Sequence, residues 1–312
     1  MRVWSTGSKM AQRGKNLMDI SNLRGVIPYL PTPLSSEGVV DAAALRRLSN
    51  HLIESGVHGL TPLGSTGEFA YLDRAAKERV VATTVDAAAG RVPVIAGVAA
   101  TTIWDAVAQA KAWAAQGADG ILAVLEAYFP VPDAGVVDYF TAVADATDLP
   151  VTLYTNPNFQ RSDLSLEAID KLSHHPNILF LKDASTNTGR LLSILNRTEG
   201  RIGVFAASSH ITTAVMLMGG RGWLAGPSCL IPSQSVRLFQ LCEARKWDEA
   251  MELQRELWAV NQVFAKFNLA GAVKAGLKLQ GFDCGHPARP QIPLSEDQVD
   301  AVRRVLERVG AL

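Results

Sequence analysis

Short apolar, β-rich runs return at near-regular intervals along this 312-residue chain, separated by Ala-rich stretches of helical character. The runs fall at residues 25–30, 59–63, 92–98, 120–124, 151–154, 178–182, 203–206 and 222–225, about one strand–helix unit apart. Each is apolar nearly throughout, the pattern of parallel strands covered on both faces. Eight such alternations point to an α/β fold of the (β/α)8 TIM-barrel type in preference to a doubly wound sheet.

The intervening helices carry start and stop signals. Asp41 opens DAAALRRLSNHLIESG, which closes on Gly56; Asp73 opens the next helix; Thr102 opens a third that closes on Gly117. From Pro232 the pattern changes to helix after helix, expected at 234–244, 247–267, 271–280 and 295–309, the last with a capping box of Ser295 and Gln298. The expected organisation is a mobile tail over residues 1–22, a catalytic barrel over 23–231 and a C-terminal helical appendage over 232–312. The tail is basic but lacks the apolar core of a signal peptide.

Composition narrows the function. Thirty basic and thirty acidic side chains cancel, which argues against a nucleic-acid surface or a face drawn to membranes. No apolar run has the roughly 18 residues of a membrane span. The three cysteines, Cys229, Cys242 and Cys284, are too far apart for a CxxC pair or a zinc site. They read as buried thiols of a reducing, cytoplasmic compartment. The pair His174–His175 precedes Pro176 at a helix end, a place that suits the helix C-terminus better than a metal. A small-molecule ligand, with no metal and no organic cofactor, is the expectation.

In barrels of this type the chemistry sits at the C-terminal ends of the strands. The sixth run, ILFLKDAST, delivers Lys182 there. A lysine in that place either snorkels, with its ammonium in water, or sits desolvated with a lowered pKa, able to attack a carbonyl. The second run ends in PLGSTGE, where Gly64, Ser65 and Thr66 offer backbone N–H groups and hydroxyls to an anion. Taken alone, this is also a tight turn with a cap. The fifth run ends in Tyr154, either a proton relay or a buried phenol with a satisfied hydroxyl. The coincidence of amine, phenol and anion cradle at one barrel mouth fits a single chemistry. The lysine condenses with the ketone of a 2-oxo acid, the cradle holds the carboxylate, and the phenol shuttles protons around the iminium.

PTPLSSEGVVD, PLGSTGE, VIAGV, DGILAV, LYTNP, LKDAS and KAGLKLQG, in this order from about Leu23 onward, resemble the dihydrodipicolinate synthase / N-acetylneuraminate lyase family of Schiff-base lyases. The resemblance implies Lys182 as the Schiff-base lysine, Tyr154 as proton relay, and Ser65 and Thr66 as carboxylate ligands. It also implies a homo-oligomer, commonly a tetramer built as a dimer of dimers. Two departures bear on the substrate. The family's synthases follow the tyrosine with an NVPGRT-like stretch whose arginine holds a second carboxylate; here TNPNFQ puts Phe159 in that position, with Arg161 two residues on. They also carry two tyrosines where this chain has Tyr128 and Phe129, the second of which commonly reaches the neighbouring subunit's relay.

The candidate catalytic set is therefore Lys182, Tyr154 and Ser65, and the candidate substrate-contacting set Thr66, Gly64, Phe159, Phe129 and Leu224. Both departures favour a relative acting on another 2-oxo acid or its cyclic imine, as an aldolase, dehydratase or deaminase, and the expected partner is a small 2-oxo acid such as pyruvate. HGLTPLGSTGEFAYL and KAGLKLQG are similar to the branch that includes pyrroline-4-hydroxy-2-carboxylate deaminase. The alternatives are 4-hydroxy-tetrahydrodipicolinate synthase itself, with Arg161 as the clamp, and a non-catalytic barrel that binds a 2-oxo acid.

Overall fold

The computed structural model describes residues 18–161, 163–208 and 210–312, the Phe159 side chain excepted. Seven strands make one parallel sheet: β1 (Gly25–Pro28), β2 (Ile95–Ala100), β3 (Gly120–Leu125), β4 (Val151–Thr155), β5 (Ile178–Asp183), β6 (Gly203–Ala206) and β7 (Gly222–Ala225). Their order, β1-β7-β6-β5-β4-β3-β2, follows the chain around a curl and leaves β1 and β2 at the two edges.

The run expected as a strand at 59–63 fills that gap, but as single bridges, Tyr29 to Thr61 and Leu60 to Val94. Thr61 N donates to Pro28 O and Ile95 N to Leu60 O, each at 2.9 Å, so the segment closes the barrel. Pro62 has no N–H to continue a ladder, and Leu63 adopts a left-handed φ of 58°. The expected TIM barrel is present, with its second strand cut to a stub.

Alternating with the strands are α1 (Ala42–Glu54), α2 (Arg74–Ala88), α3 (Ile103–Ala115), α4 (Asp133–Asp145), the single turn α5 (Pro157–Gln160), α6 (Leu166–Leu172), α7 (Thr188–Thr198) and α8 (Thr212–Leu217). Asp41, Asp73 and Thr102 cap their helices by accepting from Ala44 N, Ala76 N and Asp105 N. Each satisfies one of the donors that a helix start leaves unpaired. His175 pairs with Asp145 at 3.0 Å, beyond the end of α6. The chain ends in α9 (Pro232–Glu243), α10 (Trp247–Lys266), α11 (Leu269–Leu279) and α12 (Glu296–Arg308), the last with both bonds of the Ser295–Gln298 capping box. No helix among the described residues is long and apolar enough to cross a membrane.

Of the expected tail, residues 1–17 lie outside the described residues. Its last part is packed. Met18 N donates to Asp119 Oδ1 at 3.0 Å, and Ile20, 4% exposed, sits against Gly120, where a Cβ would lie 2.6 Å from its Cδ1. The chain therefore closes the N-terminal end of the barrel with residues expected to be loose.

Candidate active site

Parallel register sets Tyr154 of β4 beside Lys182 of β5, both on the inner face at the C-terminal end. Lys182 is 3% exposed, and its Nζ lies 4.0 Å from the centroid of the Tyr29 ring and 4.1 Å from that of Tyr154. The two rings meet edge to face, their planes 76° apart. The amine does not snorkel; it is enclosed between two π-faces. Burial pushes the Lys182 pKa below the ordinary lysine value, against the opposing pull of Tyr154. For Tyr154 burial acts upward, but the Lys182 charge and hydrogen bonds with Ser65, Asn156 and Lys182 outweigh it and bring the phenol below its ordinary range. Tyr29 is pushed well up, first by burial and then by Tyr154, and stays a neutral phenol.

The aspartate that follows the lysine has a separate task. Successive strand residues face opposite sides, so Asp183 points outward, where it pairs with Arg190 of α7 at 2.8 Å and accepts Ser185 N at 2.7 Å. That ion pair and turn pin the end of β5, and so fix where Lys182 enters the barrel.

Ser65–Gly67 is a turn of 3-10 helix placed directly after the stub strand. Ser65 Oγ lies 3.5 Å from Tyr154 Oη. Thr66 is buried, and its Oγ1, which has no hydrogen-bond partner among the described residues, lies where a Cβ on Gly226 would come within 2.3 Å. Such a side-chain oxygen is suited to a ligand's hydrogen bond. Behind the turn, Glu68 in a left-handed conformation (φ 59°) pairs with Lys274 of α11 at 2.6 Å. Glu68 Oε1 also accepts Ala288 N at 2.6 Å and Gln291 Nε2 at 3.0 Å. The cradle is thereby tied to the C-terminal helices by a buried charge pair.

Ser65, Thr66, Tyr154 and Lys182 open onto one cleft of about 340 Å³. Gly64 lies behind the lining rather than in it: a Cβ there would meet the Tyr29 ring at 2.5 Å, so the glycine makes room for that ring. Leu224 does not reach the cleft; its side chain is wholly buried within β7, opposite Ile27. Phe129 does not either, being 73% exposed in edge-to-face contact with Tyr128. The Phe159 side chain is outside the described residues. Arg161 is exposed, off the cleft lining, and its Nε donates to Ala127 O at 3.3 Å.

Tyr29, Asn156, Asn158, Ser208, Asn261 and Phe264 line the cleft without having been singled out from the sequence. Tyr29 could have been found, since it stands next to last in the first apolar run, close to where Tyr154 stands in the fifth. Asn261 and Phe264 come from α10, which helical periodicity alone does not orient. The far part of the cleft is thus built from carboxamides, a hydroxyl and an aromatic ring. Among the described residues the ionisable groups on its lining are Lys182 and the two tyrosines. No group of three or more His, Cys, Asp or Glu among the described residues is placed to hold a metal ion.

Similarity to known proteins runs over the barrel and the C-terminal helices alike. The chain is 32% identical over 292 residues to the 4-hydroxy-tetrahydrodipicolinate synthase of Mycolicibacterium paratuberculosis, covering 94% of this chain and 97% of that protein. It is 30% identical over 294 residues to an uncharacterized DapA-like lyase of Halobacterium salinarum, covering 94% and 96%. Among solved structures it superposes on the dihydrodipicolinate synthase of Agrobacterium tumefaciens with a TM-score of 0.86 at 27% identity, covering 93% of this chain and 100% of that one. A prophage protein of the dihydrodipicolinic acid synthase family from E. coli K12, crystallised in complex with pyruvate, gives a TM-score of 0.87 at 26% identity, with coverage of 93% and 99%. The model of the dihydrodipicolinate synthetase family matches residues 22–309, and the chain, a lyase by that membership, belongs to this family.

Proposed function

We propose that the protein is a class I lyase that binds the ketone of a 2-oxo acid, or its cyclic imine, as an iminium on Lys182. The observation that carries this reading is the enclosure of the Lys182 amine between Tyr29 and Tyr154, one residue cluster away from Ser65 and Thr66. A desolvated amine is neutral at lower pH than an ordinary lysine, and the neutral form is the nucleophile. Lys182 attacks the C2 carbonyl while Ser65 and Thr66 hold the C1 carboxylate. Tyr154 protonates the carbinolamine oxygen, water leaves, and the iminium serves as electron sink for aldol cleavage or condensation, dehydration or deamination.

Relatives at about this level of identity bear the name of the lysine-pathway synthase, which supports condensation of pyruvate with aspartate semialdehyde as the second reading. Against it stand Phe159 at the position of the carboxylate-holding arginine and the placement of Arg161 away from the cleft. A bidentate carboxylate clamp is not replaced by carboxamides and a phenyl ring. We therefore place the physiological substrate among 2-oxo acids whose far end is uncharged and able to hydrogen bond. The three free, buried cysteines support a reducing, cytoplasmic setting. Exposed Tyr128 and Phe129 support assembly into a homo-oligomer, dimer or tetramer.

Borohydride reduction in the presence of pyruvate, followed by peptide mass spectrometry, tests the chemistry. The expected result is a reduced adduct on Lys182, with weak condensing activity toward aspartate semialdehyde. An adduct formed only with larger 2-oxo acids would show that the far end of the substrate is needed for binding. Absence of any adduct across a panel of 2-oxo acids would leave a non-catalytic binding barrel.

A further inference from the structure

Asn156, between Tyr154 and α5, is 8% exposed and occupies a position that the chemistry outlined above does not use. Its Nδ2 lies 3.0 Å from Tyr154 Oη. Which end of the amide faces the phenol is fixed by the other end, because Oδ1 accepts Asn158 N at 3.0 Å as the cap of α5. The backbone N–H of Asn156 is in turn held by Gln160 Oε1 at 2.7 Å. The carboxamide nitrogen can therefore only donate to Tyr154, and a donor to a phenol oxygen favours its ionised form. An amide also does not titrate, so it cannot hand a proton onward.

We propose that Asn156 is a positioning residue for proton transfer, its amide holding Tyr154 as the proton acceptor for Lys182. The proposal rests on the Schiff-base reading of the site. In its first step the Tyr154 phenolate takes a proton from the Lys182 ammonium, giving a phenol and a neutral amine. In its second the phenol returns that proton to the carbinolamine hydroxyl, which leaves as water, and the phenolate is restored. Described groups facing Tyr154 include Lys182 from β5, Tyr29 directly after β1, Ser65 from the cradle turn and Asn156 itself, and His210 is near enough to feel both Asp183 and Lys182.

Asn156→Asp separates this role from a structural one, since a carboxylate keeps the acceptor for Asn158 N and the shape of the side chain but loses the donor. The readout is the ultraviolet titration of tyrosinate in ligand-free enzyme, with Tyr154→Phe identifying which tyrosine responds. Loss of a hydrogen bond to a charged oxygen should move that titration up by about one to two pH units, with kcat down about ten- to hundredfold and KM little changed. Asn156→Leu, uncharged, should move it in the same direction; if Leu impairs folding, the Asp variant decides alone. Titration and kcat at wild-type values in the Asp variant would overturn the proposal. The titration needs no substrate, and borohydride trapping on wild-type Lys182 is scored separately, so failure of the Schiff-base reading is distinguishable from failure of this one.

Discussion

Burial, not a neighbouring positive charge, is what lowers Lys182, and the consequence for rate has a definite sign. In the proposed mechanism the attacking amine must be neutral, so activity should fall as pH drops through the Lys182 pKa. Because that pKa is lowered, the fall should come below about 10.4, the ordinary lysine value. The pH dependence of the rate of borohydride trapping measures it, and a limb at the ordinary value would refute the desolvated-amine account. Lys182→Ala should abolish turnover and trapping while circular dichroism and thermal melting remain those of a folded barrel, since the change removes a buried amine and no backbone bond. Tyr154→Phe keeps the ring over Lys182 but removes the hydroxyl of the proposed relay; general acid–base roles of this kind are worth about a hundred- to ten-thousandfold in kcat. The residues behind these predictions were legible from the sequence because each ends an apolar run. Leu224 misleads for a physical reason. A parallel strand covered on both faces shows no polar alternation, so the face on which a given side chain lies cannot be read from its pattern.

At the scale of elements, the cradle turn is held by a charge pair whose two members come from distant parts of the sequence, Glu68 and Lys274, with side chains 1% and 2% exposed. Removing one partner of a buried pair strands the other, at a cost of about 3–5 kcal/mol. Lys274→Met should therefore lower the denaturation midpoint sharply and raise KM for the 2-oxo acid, because the turn that carries Ser65 and Thr66 loses its anchor. The double change Glu68→Gln with Lys274→Met should recover much of the stability, since the amide oxygen can still accept from Ala288. Equal losses in the single and double variants would show that the pair is not the anchor. GSTGE and KAGLKLQG were both visible as motifs, but nothing in their spacing, more than two hundred residues, showed that one supports the other. Helix caps at Asp41, Asp73, Thr102 and Ser295 were legible because a cap is local chemistry. The stub at Leu60–Thr61 was overread as a full strand because apolar character says nothing of where Pro62 ends the ladder.

Across the whole molecule, His51, His58 and His210 are each held below the ordinary histidine value, in every case first by burial. His58 Nδ1 accepts Val26 N at 3.1 Å, a bond that protonation would break. A base with a depressed folded-state pKa binds protons more readily unfolded. Stability should therefore be full above about pH 6.5, the unfolded value, and decline as pH falls below it toward the folded-state values. Urea midpoints at a series of pH values check this, and His58→Gln should flatten part of the slope; a slope unchanged in that variant would assign the acid sensitivity elsewhere. The enclosure of Lys182 has a practical consequence as well. An amine whose pKa burial lowers is available to acylating reagents at lower pH than an ordinary surface lysine, whereas Lys274, also lowered, is locked to Glu68. Near neutral pH a limiting dose of such a reagent would consume Lys182 first, and a bound 2-oxo acid would shield it. The protein thus carries a built-in means of counting its own competent sites, one covalent label for each correctly assembled barrel mouth.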